Sequence, residues 1–160
     1  MRGTGYDRGH SSGDTHMRAR TGLISLCLAV LMTALPGCGS VAGQTRGNAL
    51  DAQQYAYSAA IRWGDFAGAR GLIDPKVLAL DPVTDLELER YAQVQVSSYR
   101  EGPVSRDLVA GTASREIQIG VINRHTQAER TMRYRETWRF DEASKSWLLT
   151  SGLPDFWQGQ

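Results

Sequence analysis

Few side chains in these 160 residues offer chemistry. The first is Glu136, set in the alternating run Met132, Tyr134, Glu136, Trp138, Phe140, so that it shares one strand face with aromatic neighbours. A carboxylate desolvated on that face is placed to act as a general base in a pocket, and Tyr57, Tyr134, Glu136 and Trp138 are the residues expected to line it. The plainer alternative is a glutamate bonded by a helix tyrosine, Tyr55 or Tyr57, or by an arginine. His125 lies in Arg124-His125-Thr126-Gln127, which reads as a solvated hairpin tip. No other histidine follows residue 38 and no cysteine pair exists there, so neither metal nor cofactor is expected. Glycine-rich phosphate loops and a Gly-x-Ser-x-Gly nucleophile elbow are absent. Arg133, Arg135 and Arg139 form a row on the opposite strand face. That row could meet anionic lipid headgroups, although Asp141 and Glu142 beside it favour an ordinary solvated surface.

Strands and helices must hold these groups. Apolar alternation marks four strands, over Tyr91–Val104, Thr112–Asn123, Arg130–Phe140 and Ser146–Ser151, joined by short loops into an antiparallel meander. A loop at Asp141–Ser144 would set Trp138 opposite Trp147 and Glu136 opposite Leu149. A loop at His125–Ala128 would set Met132 opposite Val121 and Tyr134 opposite Ile119. Before the strands, Leu50, Gln54, Tyr57 and Ile61 repeat at helical spacing from Ala49 to Trp63. Gly64 stops that helix and Asp65 caps a second, running from Phe66 to Ile73, with Trp63 and Phe66 at the corner. Lys76–Leu80 allows one further turn, and Asp85–Arg90 is open between helical turn and strand. Phe156 and Trp157 are expected to fold back onto one end of the core. The fold class expected is α+β: an N-terminal helical hairpin packed on a curved four-stranded antiparallel meander sheet, after a cleaved signal peptide.

That signal peptide is expected over residues 1–37, with Met17 as the true start. Met17-Arg18-Ala19-Arg20 is basic, Leu23–Leu35 is apolar, and Pro36-Gly37 ends the run well short of the roughly 20 apolar residues a spanning helix needs. Leu35-Pro36-Gly37-Cys38 resembles the lipobox of bacterial lipoproteins. The resemblance implies lipidation of Cys38 (a diacylglyceryl thioether, with palmitate as the label to look for) and the membrane as a partner. Gly39, in place of a retention aspartate, points to the periplasmic face of the outer membrane. Residues 38–48 then form a lipidated tether and residues 49–160 the domain. Of 18 basic residues four precede Cys38, and of 17 acidic residues two do, leaving 14 against 15 and a net charge of −1. Such a balance excludes the electrostatic footprint of a nucleic-acid binder.

Helices followed by a meander with aromatic strands, together with WGDF at Trp63–Phe66 and TWRFDEASKSWLL at Thr137–Leu149, resemble the nuclear transport factor 2-like superfamily, the cystatin-like α+β cone. The resemblance implies a cone whose mouth lies between sheet and helices, found in ketosteroid isomerase-like and polyketide cyclase-like enzymes and in noncatalytic binding domains. The function expected is therefore a membrane-anchored envelope lipoprotein whose domain binds a small apolar ligand or an envelope protein. The alternatives are an isomerase or cyclase using Glu136 as base, and a structural adaptor of an envelope complex.

Overall fold

The first helix, α1, spans Cys38–Trp63 and buries Leu50, Gln54, Tyr57 and Ile61, none more than 3% exposed, in the stripe its periodicity predicts. The computed structural model describes residues 38–157, with side chains from residue 43 onward. The expected signal segment, residues 1–37, and the side chain of Cys38 lie outside the described residues. Among the described residues no helix is long and apolar enough to cross a membrane.

Gly39–Gly47, expected as a coil, is helical. Tertiary contacts at its C-terminal end support this. The Arg46 carbonyl accepts from Trp147 Nε1 at 2.9 Å, and the Arg46 guanidinium lies 4.4 Å from the Phe140 ring centre while bonding Glu142. Packing against the sheet thus favours helix in a glycine-rich sequence whose intrinsic propensity would not hold one.

Gly64, at φ +74°, ends α1, and Asp65 caps α2 (Phe66–Arg70) by accepting from Gly68 N at 2.8 Å. α2 stops short of the expected Ile73 because the chain turns there to meet the sheet. Ile73 bridges in parallel to Leu149, and Asp74 N donates to Leu149 O at 2.8 Å. This segment covers the edge strand β4 (Ser146–Leu149). Asp74 also caps α3 (Pro75–Leu80), where proline occupies the first turn at no hydrogen-bond cost. α4 spans Asp85–Tyr91, and its start is a reciprocal capping box between Thr84 and Glu87. Tyr91 therefore ends a helix rather than beginning a strand.

The sheet order is β1 (Val94–Asp107), β2 (Thr112–Asn123), β3 (Glu129–Asp141), β4, all antiparallel. Ser97 is an extra residue in β1 between Val96 and Ser98, which switches the alternation so that both Val96 and Tyr99 oppose inward residues of β2. A second bulge, at Gly102-Pro103, follows Glu101.

Both expected registers are displaced by two residues. Trp138 faces Leu149, Phe140 faces Trp147, Met132 faces Ile119 and Tyr134 faces Ile117. The loops keep four residues but lie at Glu142–Lys145 and Arg124–Gln127, each one position from where they were expected. Sliding a loop by one residue moves every partner by two, so the inward set stays inward. The cause is one turn used in all three hairpins. Asp107, Asn123 and Asp141 precede the loops and accept loop amides on their side chains, at 2.8 Å from Ala110 N, 3.0 Å from Thr126 N and 2.9 Å from Ser144 N. The fourth loop residue, Gly111, Gln127 or Lys145, then takes a positive φ of 68°, 58° or 53°.

The helices cover the inner face of the sheet, and the C-terminal segment folds back as expected. Phe156 is fully buried against Phe66 and Tyr91, with ring centres 5.7 and 5.5 Å away. Trp63, at the helical corner, is 87% exposed.

Candidate functional site

Strand alternation places Glu136 on the inner face of β3, where it is completely buried. Its partners come from the sheet, not from the helix tyrosines considered above. Oε1 accepts from the Tyr99 hydroxyl on β1, and Oε2 accepts from Arg115 Nε at 2.6 Å and Trp138 Nε1 at 3.1 Å. Arg115 is the direct cross-strand neighbour of Glu136 on β2, and it is itself buried. Its remaining donors reach the Gln54 carbonyl on α1 at 3.1 Å and Glu101 Oε1 at 3.0 Å. Burial works against the charge on Arg115, but the hydrogen bond and charge of Glu136 outweigh it and hold the guanidinium above its usual range. Burial, then the Glu136 charge, push the Tyr99 phenol far above its ordinary value, so that it stays a donor.

This arrangement satisfies a buried carboxylate from three sides. It ties β1, β2, β3 and, through the Gln54 carbonyl, α1 to a single point. A charge pair so desolvated does little for net stability, yet removing one member strands the other and costs about 3–5 kcal/mol. Sequence reasoning missed Arg115 and Tyr99. The signal for Arg115 was available, because it shares the alternation of Ile117, Ile119 and Val121; that for Tyr99 was hidden by the bulge at Ser97. Next to this centre, the Gln54 side chain is 3% exposed, and its Nε2 has no hydrogen-bond partner among the described residues.

Tyr57 and Tyr134 form a separate cluster. The Tyr134 hydroxyl donates to Gly152 O at 2.6 Å and lies 2.8 Å from Ser151 Oγ and 3.2 Å from the Tyr57 hydroxyl. Burial raises both phenols above the usual tyrosine range. Tyr57 meets the Trp138 ring edge-on at 5.8 Å. The four expected pocket residues are therefore neighbours, but they fill the space between sheet and α1 instead of enclosing an opening at Glu136. His125 is exposed on its hairpin loop.

Cavities lie elsewhere. One of about 300 Å³, where α3, α4 and the C-terminal segment meet, is lined by Tyr91, Trp157, Ser151, Gly152 and the carboxylates of Asp81 and Asp155. Another, of about 410 Å³, lies over the polar face of the sheet beside Gly102-Pro103. The arginine row on that face divides. Arg135 pairs with Glu116 at 2.5 Å, and Arg139 pairs with Asp74 at 2.7 Å and Asp141 at 3.1 Å. Arg133 has no ion pair among the described residues. These residues also contain no group of three or more His, Cys, Asp or Glu side chains that could hold a metal ion.

No family model matches the sequence, and no curated protein does. Among the solved structures similar in part are two. One is a SEC-C motif containing protein from Rhodopseudomonas palustris, 17% identical, covering 60% of this chain and 70% of that one at a TM-score of 0.48. The other is a ketosteroid isomerase-like protein from Erwinia carotovora atroseptica, 19% identical, covering 62% of this chain and 87% of that one at a TM-score of 0.45. Likeness at this level transfers neither ligand nor reaction, so function must be argued from this chain's own residues.

Proposed function

We propose that this chain is a membrane-anchored envelope lipoprotein whose α+β domain binds a small apolar ligand or a protein partner without catalysis. The observation that carries the noncatalytic reading is the closure of Glu136. Its side chain is 0% exposed and both oxygens are engaged, so a substrate proton has no approach within hydrogen-bond reach. Service as a base would require Arg115 and Tyr99 to let go of it. The cavity of about 300 Å³ is at the lower end of the sizes that hold small molecules, and Tyr91 and Trp157 support reading it as a ligand berth with one aromatic wall, Asp81 and Asp155 making another side polar. Anchoring is supported by the basic, apolar and Leu-x-Gly-Cys run that ends at Cys38.

The test is Cys38→Ala. Wild-type chain expressed in a bacterium with a lipoprotein pathway should incorporate labelled palmitate and fractionate with membranes, and the variant should do neither. Identical fractionation of the two, or no label on the wild type, overturns the anchoring.

A further inference from the structure

We infer that the outer face of the sheet carries an oxyanion-binding site, the cleft between Arg100 and Arg133, which takes a phosphate or carboxylate group. The register puts Arg100 on β1, Gln118 on β2 and Arg133 on β3 in one row, each opposite the next. Adjacent strands are about 4.8 Å apart, so the two arginine Cα atoms stand roughly 10 Å apart with the Gln118 amide between them. All three side chains are exposed, and all three line the cleft of about 410 Å³.

One wall of the cleft is the Gly102-Pro103 bulge. Gly102 lies so close to the neighbouring strand that a Cβ there would stand 3.2 Å from the Glu116 carbonyl oxygen. The bulge interrupts the pairing of β1 at this row's end, which is how sheets commonly open a recess on an otherwise continuous face.

Charge decides what the recess takes. The two carboxylates on its rim are already held, Glu101 by Arg115 at 3.0 Å and Glu116 by Arg135 at 2.5 Å. Arg100 and Arg133 have no ion pair among the described residues, so their guanidinium forks face the cleft unneutralised. Planar forks of this kind match the paired oxygens of a carboxylate or phosphate, and Gln118 adds amide donors between them. The group recognised can belong to a free anion or to an anionic lipid headgroup. The site does not depend on the proposed anchoring, and the two fail separately.

The experiment follows the arginine Nε–H resonances of the full chain, labelled with nitrogen-15 and held in micelles of an uncharged detergent. Inorganic phosphate is titrated in one arm, and phosphatidylglycerol is added to the micelles in the other. Saturable movement of the Arg100 and Arg133 signals with phosphate supports the site for soluble anions. Saturable movement with phosphatidylglycerol alone supports it for a headgroup. Arg100→Gln and Arg133→Gln should each weaken the responding anion by about tenfold, the size of one charge-assisted hydrogen bond. Arg62→Gln, which removes an equal charge elsewhere, should leave it unchanged, as should Cys38→Ala. No saturable shift in either arm, or equal weakening by Arg62→Gln, overturns the site.

Discussion

Replacing Glu136 with glutamine keeps the shape of the side chain and removes its charge. The new amide can still accept from Tyr99 or Trp138, but its NH₂ must meet one of the three donors that now converge on the carboxylate. Arg115, 3% exposed, is left with the Gln54 carbonyl, the Tyr99 hydroxyl at 3.3 Å and Glu101, whose side chain is 49% exposed. Stranding a buried guanidinium costs about 3–5 kcal/mol, and the surviving Glu101 contact places this case near about 3 kcal/mol. With a urea dependence of about 1.5 kcal/mol per molar, the unfolding midpoint should fall by about 2 M. Tryptophan fluorescence reads the transition, since Trp138 and Trp147 are 2% and 1% exposed while Trp63 is already in water. The double variant Arg115→Met, Glu136→Met should lose at least about 1.5 kcal/mol less than the sum of the two single methionine variants, because each single change leaves a buried charge that the double change removes. Its residual loss belongs to Tyr99 and Trp138, whose donors then lack an acceptor at about 1–3 kcal/mol each. A Glu136→Gln chain within about 1 kcal/mol of wild type, or strictly additive methionine variants, would refute the idea that this cluster is a closed structural centre. The same result with a measurable loss of turnover on any substrate would instead favour the isomerase reading.

Three further outcomes follow from the same contacts. Asp74 accepts from Lys76 N at 2.9 Å and from Arg139 Nη2 at 2.7 Å, and although burial opposes its charge these bonds hold its carboxyl below the usual value. Its contribution is therefore complete above the ordinary carboxylate value of about 4 and is lost as pH falls through the lower folded value. Asp74→Asn keeps the capping acceptor but loses the charge toward Arg139, so it should cost about 1 kcal/mol at neutral pH and flatten the acid limb of the urea midpoint; an unchanged acid limb counts against the assignment. Burial raises the phenols of Tyr57, Tyr91, Tyr99 and Tyr134, so their contribution is complete below the ordinary tyrosine value of about 10 and is lost as pH rises beyond it. Phenolate absorbance should show these four ionising only together with unfolding, and titration of any of them near its ordinary value in the folded chain would contradict the packing. At the fourth loop position, Lys145→Gly should raise stability by up to about 1 kcal/mol and Gly111→Ala should lower it by at least as much. The alanine Cβ would also stand 3.1 Å from Phe140 Cβ, and thermal midpoints moving in the same direction would refute the shared turn geometry.

The legibility of this fold differs from element to element. Leu50, Gln54, Tyr57 and Ile61 declared the buried stripe of α1 because a helix presents every third or fourth residue to one side. The alternation of β2 and β3 declared which residues turn inward, and that reading survived a two-residue error in register because parity is indifferent to an even shift. Two cues went unread. Asn123 and Asp141 each stand where an Asx turn begins, and they fix where the loops lie; Thr84-x-x-Glu87 is a helix start, and it would have settled the segment left open. The helical start at Cys38 had no such cue, since the contacts at Arg46 come from Trp147 and Phe140, about a hundred residues away.

By itself, then, the sequence determined the periodicities, and through them the α+β class, the inward set and the placing of Glu136 among aromatic rings. It also carries the apolar run and cysteine on which the anchoring proposal rests. Only the tertiary structure decided that Glu136 is enclosed by Arg115 and Tyr99 rather than open to a pocket, and that Arg100 and Arg133 share a row. Local sterics act within a few residues and are written in composition and spacing. Of the three partners of Glu136 only Trp138 is local; Arg115 and Tyr99 lie 21 and 37 positions away, and a bulge at a single serine lets Tyr99 reach it.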